Sequence, residues 1–147
     1  MTYQEKKSIV SLFTAILIFG SYCAYMYPKY PEGAGSTEIF HYWGSFVITL
    51  TLVSIAVHIL ISIIFNISFR ITTGEKEPSF ADELDKLISL KATRNSFFVF
   101  VLGFLAAMGS LVNDQPIQVM FVILIAGGFI SDVTGSVTKL YHYRRGV

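Results

Sequence analysis

Charged side chains are scarce in this 147-residue chain: Lys, Arg, Asp and Glu make up 14% of it, whereas 53% is hydrophobic and the mean hydropathy is +0.60. So few charges cannot cover a soluble globule, which predicts a membrane protein. The 11 Lys and Arg nearly balance the 10 Asp and Glu, so the chain lacks the basic surplus that nucleic-acid binding needs. The single cysteine, Cys23, excludes an intramolecular disulfide and any multi-cysteine metal site.

Catalytic motifs are also missing from the sequence. It contains no G-x-S-x-G, no H-E-x-x-H, no Walker-type lysine loop and no G-x-G-x-x-G turn. The three histidines, His41, His58 and His142, fall at the outer end, the middle and the inner end of the predicted spans. They therefore cannot converge on one metal ion. We expect a protein that is not an enzyme and that uses no metal and no cofactor.

Long apolar runs are what the chain does have. About 20 residues of helix cross a hydrocarbon layer of roughly 30 Å, and four runs reach that length, at 8–27, 42–69, 96–112 and 117–138. They do not alternate with the period of two that barrel strands require. The sequence therefore predicts an all-α, polytopic membrane protein whose residues 1–147 form a single four-helix transmembrane domain.

The orientation of these spans follows from the basic side chains, which favour the cytoplasmic side of a membrane. Ten of the 11 Lys and Arg lie on one side if the N-terminus is cytoplasmic, and only Lys29 lies outside. We therefore expect a multi-pass protein of the plasma (inner) membrane with both termini in the cytoplasm and the lipid bilayer as its main contact.

Residues 79–94 have a separate helical signature between the second and third spans. Phe80, Leu84, Leu87 and Ile88 are spaced to form one apolar stripe on an amphipathic cytoplasmic helix. This helix either runs straight into the third span or bends to lie on the membrane. Two uses of this stripe are open, which are packing against the membrane interface or the underside of the bundle, and docking with a protein partner.

A short motif in this helix resembles a known family. The run D-E-L-D-K-L-I at 82–88, followed by L-K-A-T-R and another span, is similar to the D-E-R-D-x-x-I segment of small bacterial membrane proteins with four predicted spans. The chain departs from that pattern at Leu84, where the family has arginine. The resemblance implies the four-helix layout and a bacterial inner membrane. It implies no site residue, because the family has no assigned activity.

Ionisable residues inside predicted spans are costly and mark candidate sites. Asp132 and His58 fall at similar depth in the cytoplasmic half of the membrane, and Ser54, Ser62 and Asn66 share the helical face of His58. One interpretation is a cytoplasm-facing binding pocket or half of a proton path, with Asp132 as the titrating group and His58 as its partner. The other is structural, because polar side chains also join helices within lipid.

Small residues form ridges on two helices. Gly127, Ser131 and Gly135 follow one stripe of the fourth span, and Gly103 and Ala107 follow another on the third. Such ridges let helix backbones approach closely. The more ordinary interpretation is that the two ridges pack against each other inside the chain. We also expect a homodimer that buries one such ridge, because four helices enclose little core.

Two functions are compatible with this pattern. The first is a non-enzymatic scaffold, sensor or accessory subunit that works through its cytoplasmic helix. The second is a small proton- or cation-coupled transporter or channel subunit that uses Asp132. A cavity that reaches Asp132 would favour the second function, and a dry helix contact would favour the first.

Overall fold

The computed structural model describes residues 3–74 and 83–145, with only the backbone of Thr73. They form four helices, α1 (Tyr3–Met26), α2 (Ser36–Thr73), α3 (Glu83–Val112) and α4 (Ile117–Arg145), and a 3-10 turn at Tyr27–Lys29. All four are long and apolar enough to cross a membrane, which confirms the predicted all-α architecture with four candidate spans. Each helix begins before its predicted span, ends after it, or does both.

Proline and glycine set several of the helix ends. Pro28 stands at the start of the 3-10 turn that follows α1, since proline has no N–H for a helical hydrogen bond. Gly35 is the extended residue before α2, and Gly74 closes α2 with a left-handed φ of 69° and a hydrogen bond from its N–H to the Arg70 carbonyl at 3.0 Å. A left-handed closing residue is typical of glycine.

The four helices run antiparallel in the spatial order α2, α1, α4, α3. The most extensive interface joins α3 to α4, α1 packs on α4, and α2 packs on α1. The connections at 27–35 and 113–116 lie at one end of the molecule, which we call the hairpin end. Tyr3, Gly74, Glu83 and Arg145 lie at the opposite end, which we call the terminal end. The row is curved, so one side of the molecule stays open between α2 and α3.

The closest approach of two helices is between Gly103 of α3 and Gly127 of α4. A Cβ added to Gly103 would lie 2.9 Å from the Cα of Gly127, and one added to Gly127 would lie 3.1 Å from the Cα of Gly103. No residue other than glycine fits this crossing without a shift of the backbone, because the nearest atoms on each side are backbone atoms.

A pair of serines joins the same two helices nearer the terminal end. The hydroxyl of Ser96 donates to the Ser131 carbonyl, and the hydroxyl of Ser131 donates to the Ser96 carbonyl, each at 2.8 Å. One turn further along α4, a Cβ on Gly135 would lie 3.5 Å from the Ser96 side chain. The ridge of Gly127, Ser131 and Gly135 therefore faces α3 of the same chain, and a homodimer would need another surface.

Helix α2 is held to the other helices chiefly at its two ends. At the terminal end, the Tyr3 hydroxyl donates to the Asn66 side chain, and the Tyr3 ring meets Phe69 edge-on at 4.7 Å. At the hairpin end, Trp43 stacks on Phe121 of α4 at 5.6 Å. Between these ends, from residue 47 to residue 72, no side chain of α2 is buried.

The predicted amphipathic helix over 79–94 is, where the structure describes it, the first part of α3, which continues without a break to Val112. Residues 79–82, including Phe80, lie outside the described residues. Ile88 is only 1% exposed, whereas Leu84 and Leu87 are 40% and 56% exposed. Ile88 therefore packs inside the bundle, which was one of the uses expected for the stripe, whereas Leu84 and Leu87 stay exposed on the surface of α3.

Gly103→Ala should lower the stability of the protein. The new methyl group would sit 2.9 Å from the Gly127 backbone, and overpacking of this kind costs about 1–3 kcal/mol. Gly109→Ala in the same helix is the matched control, because a Cβ there has no atom within 4 Å. Thermal unfolding of the detergent-solubilised protein measures both changes. Equal unfolding temperatures for the two variants would contradict the glycine crossing.

Candidate functional site

A groove of about 810 Å³ lies along the open side of the molecule, and all four helices contribute to its wall. Helices α1 and α4 form its floor, and α2 and α3 form its two sides. Because α2 and α3 share no extended contact among the described residues, the groove stays open between them. A cavity of 300–1,000 Å³ is the usual size of a small-molecule site.

The lining of the groove changes along its length. Its hairpin half is mostly apolar and is lined by Val47, Leu50, Phe100, Leu124, Ile125 and Phe129, with Thr51 as its polar residue. Its terminal half carries most of the polar groups, namely Ser11, Ser54, His58, Thr93, Ser96, Asp132, Ser136 and Lys139. The groove is therefore amphipathic along the helix axes.

Asp132 lies on the wall of the groove, where its side chain is exposed rather than packed between helices. Neighbouring Ser131 is buried against α3, so successive residues of α4 face the helix interface and the groove. Within residues 3–74 and 83–145, no side chain forms a hydrogen bond or ion pair with the Asp132 carboxylate. It is also the single acidic residue on the described wall of the groove.

His58 lines the same groove as Asp132, as the sequence predicted, but the two side chains are not joined. The Nδ1 atom of His58 lies 2.8 Å from the Ser54 carbonyl, one turn back on its own helix. In the tautomer with the proton on Nδ1, that nitrogen donates to the carbonyl and leaves Nε2 as an acceptor. A His58–Asp132 contact required α2 and α4 to touch at this depth, and it is absent from the described residues because α2 packs on α1 rather than on α4.

The other predicted residues of the α2 stripe lie in three different surroundings. Ser54 lines the groove beside His58. Ser62 lines a second, smaller cavity of about 330 Å³ nearer the terminal end. Asn66 accepts the hydrogen bond from Tyr3 and so tethers α2 to α1. The four-residue spacing placed these residues on one face of α2. Near the terminal end α1 packs on that face, so Asn66 contacts Tyr3 and does not line the groove.

The second cavity continues the groove toward the terminal end, and we call it the vestibule. Four residues, Ser11, His58, Ser136 and Lys139, line both spaces and form the neck between them. The rest of the vestibule is largely polar and includes Lys7, Ser8, Ser62, Asp85, Ser89 and Tyr143. Polar side chains therefore line both adjacent cavities from the terminal end of the molecule to Asp132.

A cluster of polar side chains from three helices lies beside the vestibule. Gln4 of α1 donates to the Asp85 carboxylate of α3 at 3.4 Å, and the Tyr143 side chain of α4 lies close to the same carboxylate. Asp85 therefore links the terminal ends of α1 and α3 and lies beside that of α4.

Aromatic side chains close the opposite, hairpin end of the groove. Trp43 and Phe46 are 8% and 5% exposed. The Phe46 ring meets Tyr22 edge-on at 4.9 Å, and the Tyr42 hydroxyl donates to the Met26 carbonyl at 2.8 Å. Together with the stacking of Trp43 on Phe121, these contacts join α1, α2 and α4. The groove therefore has a polar route to the terminal end and an apolar, ring-filled hairpin end.

Several residues of the site were missed by sequence reasoning. Phe19 and Phe129 stack with their ring centroids 4.0 Å apart on the groove wall, and Phe129 precedes Asp132 by one helical turn. Ser136 follows Asp132 by one turn. Helical spacing from Asp132 would have found these two α4 residues. Nothing in the sequence pairs Phe19 with them, since that contact depends on how α1 packs on α4.

Two further observations bear on identity. Within residues 3–74 and 83–145, no group of three or more His, Cys, Asp and Glu side chains is placed to hold a metal ion. No family model, no curated protein and no solved structure matches this chain. The resemblance of the D-E-L-D-K-L-I segment to the bacterial membrane family therefore stays a prediction. The groove is the feature of the structure that bears on function.

The packing predicts opposite outcomes for two adjacent residues of α4. Asp132→Asn should leave the unfolding temperature unchanged or raise it, because the carboxylate has no partner to lose among residues 3–74 and 83–145 and the substitution removes a charge from inside the proposed span. Ser131→Val should lower stability by about 1–3 kcal/mol, because it breaks the serine pair and crowds the α3–α4 interface. Thermal unfolding in one detergent compares them. A larger loss for Asp132→Asn than for Ser131→Val would mean that Asp132 is structural.

Proposed function

We propose that this chain is an integral membrane protein that binds a proton or cation at Asp132 and works as a small proton- or cation-coupled transporter or channel subunit. The observation that supports this most is the position of Asp132, which is unpartnered within the described structure and lies on the wall of an open groove. An ionisable group inside a membrane that only joined helices would be paired with a neighbouring helix. No catalytic role is part of the proposal.

We infer that the terminal end faces the cytoplasm of a bacterial plasma membrane. Ten of the 11 basic residues belong to the termini and to the 70–94 region, and basic side chains favour the cytoplasmic side. With this orientation the vestibule opens to the cytoplasm, and the aromatic hairpin end lies toward the outer face. Protons would then reach Asp132 through the hydroxyl and imidazole groups of the neck.

The alternative function as a scaffold draws its support from the exposed leucines at the start of α3. Leu84, Leu87 and Leu90 are 40%, 56% and 68% exposed, which suits a protein partner or the lipid surface. We rank this function second for two reasons. Burial of Ile88 removes one of the residues that a partner would contact, and α3 is about 45 Å long at 1.5 Å per residue, so lipid reaches most of its length.

The proposed function predicts a proton flux that depends on Asp132. In liposomes with an imposed pH gradient, with the membrane potential clamped by valinomycin and K⁺, the wild-type protein should dissipate the gradient several-fold faster than Asp132→Asn. Asp114→Asn is the matched control, because Asp114 is an exposed acid in the 113–116 turn with a φ of 54° that asparagine also tolerates. An internal pH-sensitive dye records the rates.

Liposomes of the same composition but without valinomycin, loaded with Na⁺ or K⁺ gradients, test the cation alternative. Flux of any of the three ions that is lost in Asp132→Asn and kept in Asp114→Asn supports the proposal. Equal rates for wild type and Asp132→Asn, or no flux above protein-free liposomes for all three ions, would contradict it.

A further inference from the structure

The opening of the groove lies between two helices whose outer faces are apolar. On the α2 side, Leu52 and Ile59 are 62% and 55% exposed, and on the α3 side Phe97 and Leu102 are 61% and 67% exposed. Residues of this kind on candidate spans contact lipid chains. The opening between α2 and α3 therefore faces the hydrocarbon of the bilayer, and a solute dissolved in the membrane has direct access to the groove.

Access from the terminal end differs from access through the lipid, because a solute that enters there has to pass the positive charge of Lys139. Lys139 lies in the neck between vestibule and groove, two helical turns, or about 10 Å, from Asp132 along α4. The positive charge of Lys139 opposes the entry of an organic cation through this neck, whereas a proton can pass between the hydroxyl and imidazole groups that line it. A cation that arrived from the lipid would meet Asp132 first.

Aromatic rings flank the carboxylate on its apolar side. Phe129 lies one turn from Asp132 on α4 and stacks on Phe19, with an angle of 9° between the ring planes, and Phe100 of α3 lines the same wall. The faces of such rings attract organic cations. In a weakly polar cavity an unpaired carboxylate also favours a positively charged ligand strongly. The groove therefore combines the negative charge of Asp132 with aromatic rings and an apolar extension on one side, and has the positive charge of Lys139 at its neck.

We propose that the groove binds an amphipathic organic cation that enters from the lipid between α2 and α3. Its positive group pairs with Asp132, and its apolar body lies among Phe19, Phe100 and Phe129 in the hairpin half of the groove. The volume of about 810 Å³ admits a molecule of drug size. The inference rests on the role of Asp132 in the proposed function, and it names the chemical class of the solute.

Tetraphenylphosphonium tests this assignment, because its charge does not depend on protonation and its four phenyl groups suit the aromatic wall. Tetraphenylborate is the matched probe, with nearly the same shape and the opposite charge. With the full-length protein in lipid nanodiscs, and with uptake by empty nanodiscs subtracted, tetraphenylphosphonium should bind at least tenfold more tightly than tetraphenylborate. Asp132→Asn should abolish that difference, and Asp114→Asn should preserve it.

A second pair of variants tests the location of the bound cation. Gly128 lines the groove and a Cβ there has no atom within 4 Å, so Gly128→Leu should fill the groove without disturbing the helix packing and should weaken tetraphenylphosphonium binding at least tenfold. Gly44→Leu is the control, because Gly44 is exposed on α2 away from the groove and a Cβ there is equally free. Unfolding temperatures verify that both variants are folded.

The outcomes separate this inference from the proposed function. Equal binding of the two probes, or tetraphenylphosphonium binding that survives both Asp132→Asn and Gly128→Leu, would overturn the inference. A particle mass that corresponds to two chains and falls to one in Gly128→Leu would also overturn it, because a second copy would then fill the groove. Ion flux without tetraphenylphosphonium binding would leave the proposed function standing, whereas binding without any flux would leave only the ligand assignment.

Discussion

The contact between Gly103 and Gly127 determines where every other helix can lie. Two backbones that approach within the reach of a methyl group leave no room for a third helix between them, so α3 occupies one side of α4 and α1 has to use another. Helix α2 then packs on α1 and ends far from α3. The groove results from this order, because α2 and α3, which stand at the two ends of the row, share no extended contact among the described residues.

The open apolar groove between α2 and α3 is stable only in apolar surroundings. In water an open apolar groove would collapse or aggregate, but in the bilayer that we propose for this chain the lipid chains solvate the exposed faces of α2 and α3 as well as protein would. The two ends of α2 are held by different means, rings at the hairpin end and the Tyr3–Asn66 hydrogen bond at the terminal end. The middle of α2 is free of tertiary contacts that bury it, and there the groove holds Asp132 opposite His58.

The sequence predicted much of this architecture because helix length and hydropathy depend only on local composition. It also placed Asp132, His58 and Ser54 on faces that meet in one groove, since helical spacing fixes which residues share a face. The sequence alone did not determine how the helices pack on one another. Whether the ridge at Gly127 meets α3 or a second chain, and that Ile88 is buried, depend on which helices are neighbours, and residues far apart in the sequence decide that.

The proposed function depends on a polar path that reaches the depth of Asp132 from the terminal end. Single cysteines in a Cys23→Ser background test it most directly, with a membrane-impermeant, negatively charged methanethiosulfonate reagent added to inside-out vesicles. Ser62→Cys in the vestibule and Ser54→Cys in the groove should both react, whereas Leu52→Cys and Leu60→Cys on the lipid face should stay unmodified. Protection of Ser54→Cys, or equal reaction at all four positions, would contradict the account.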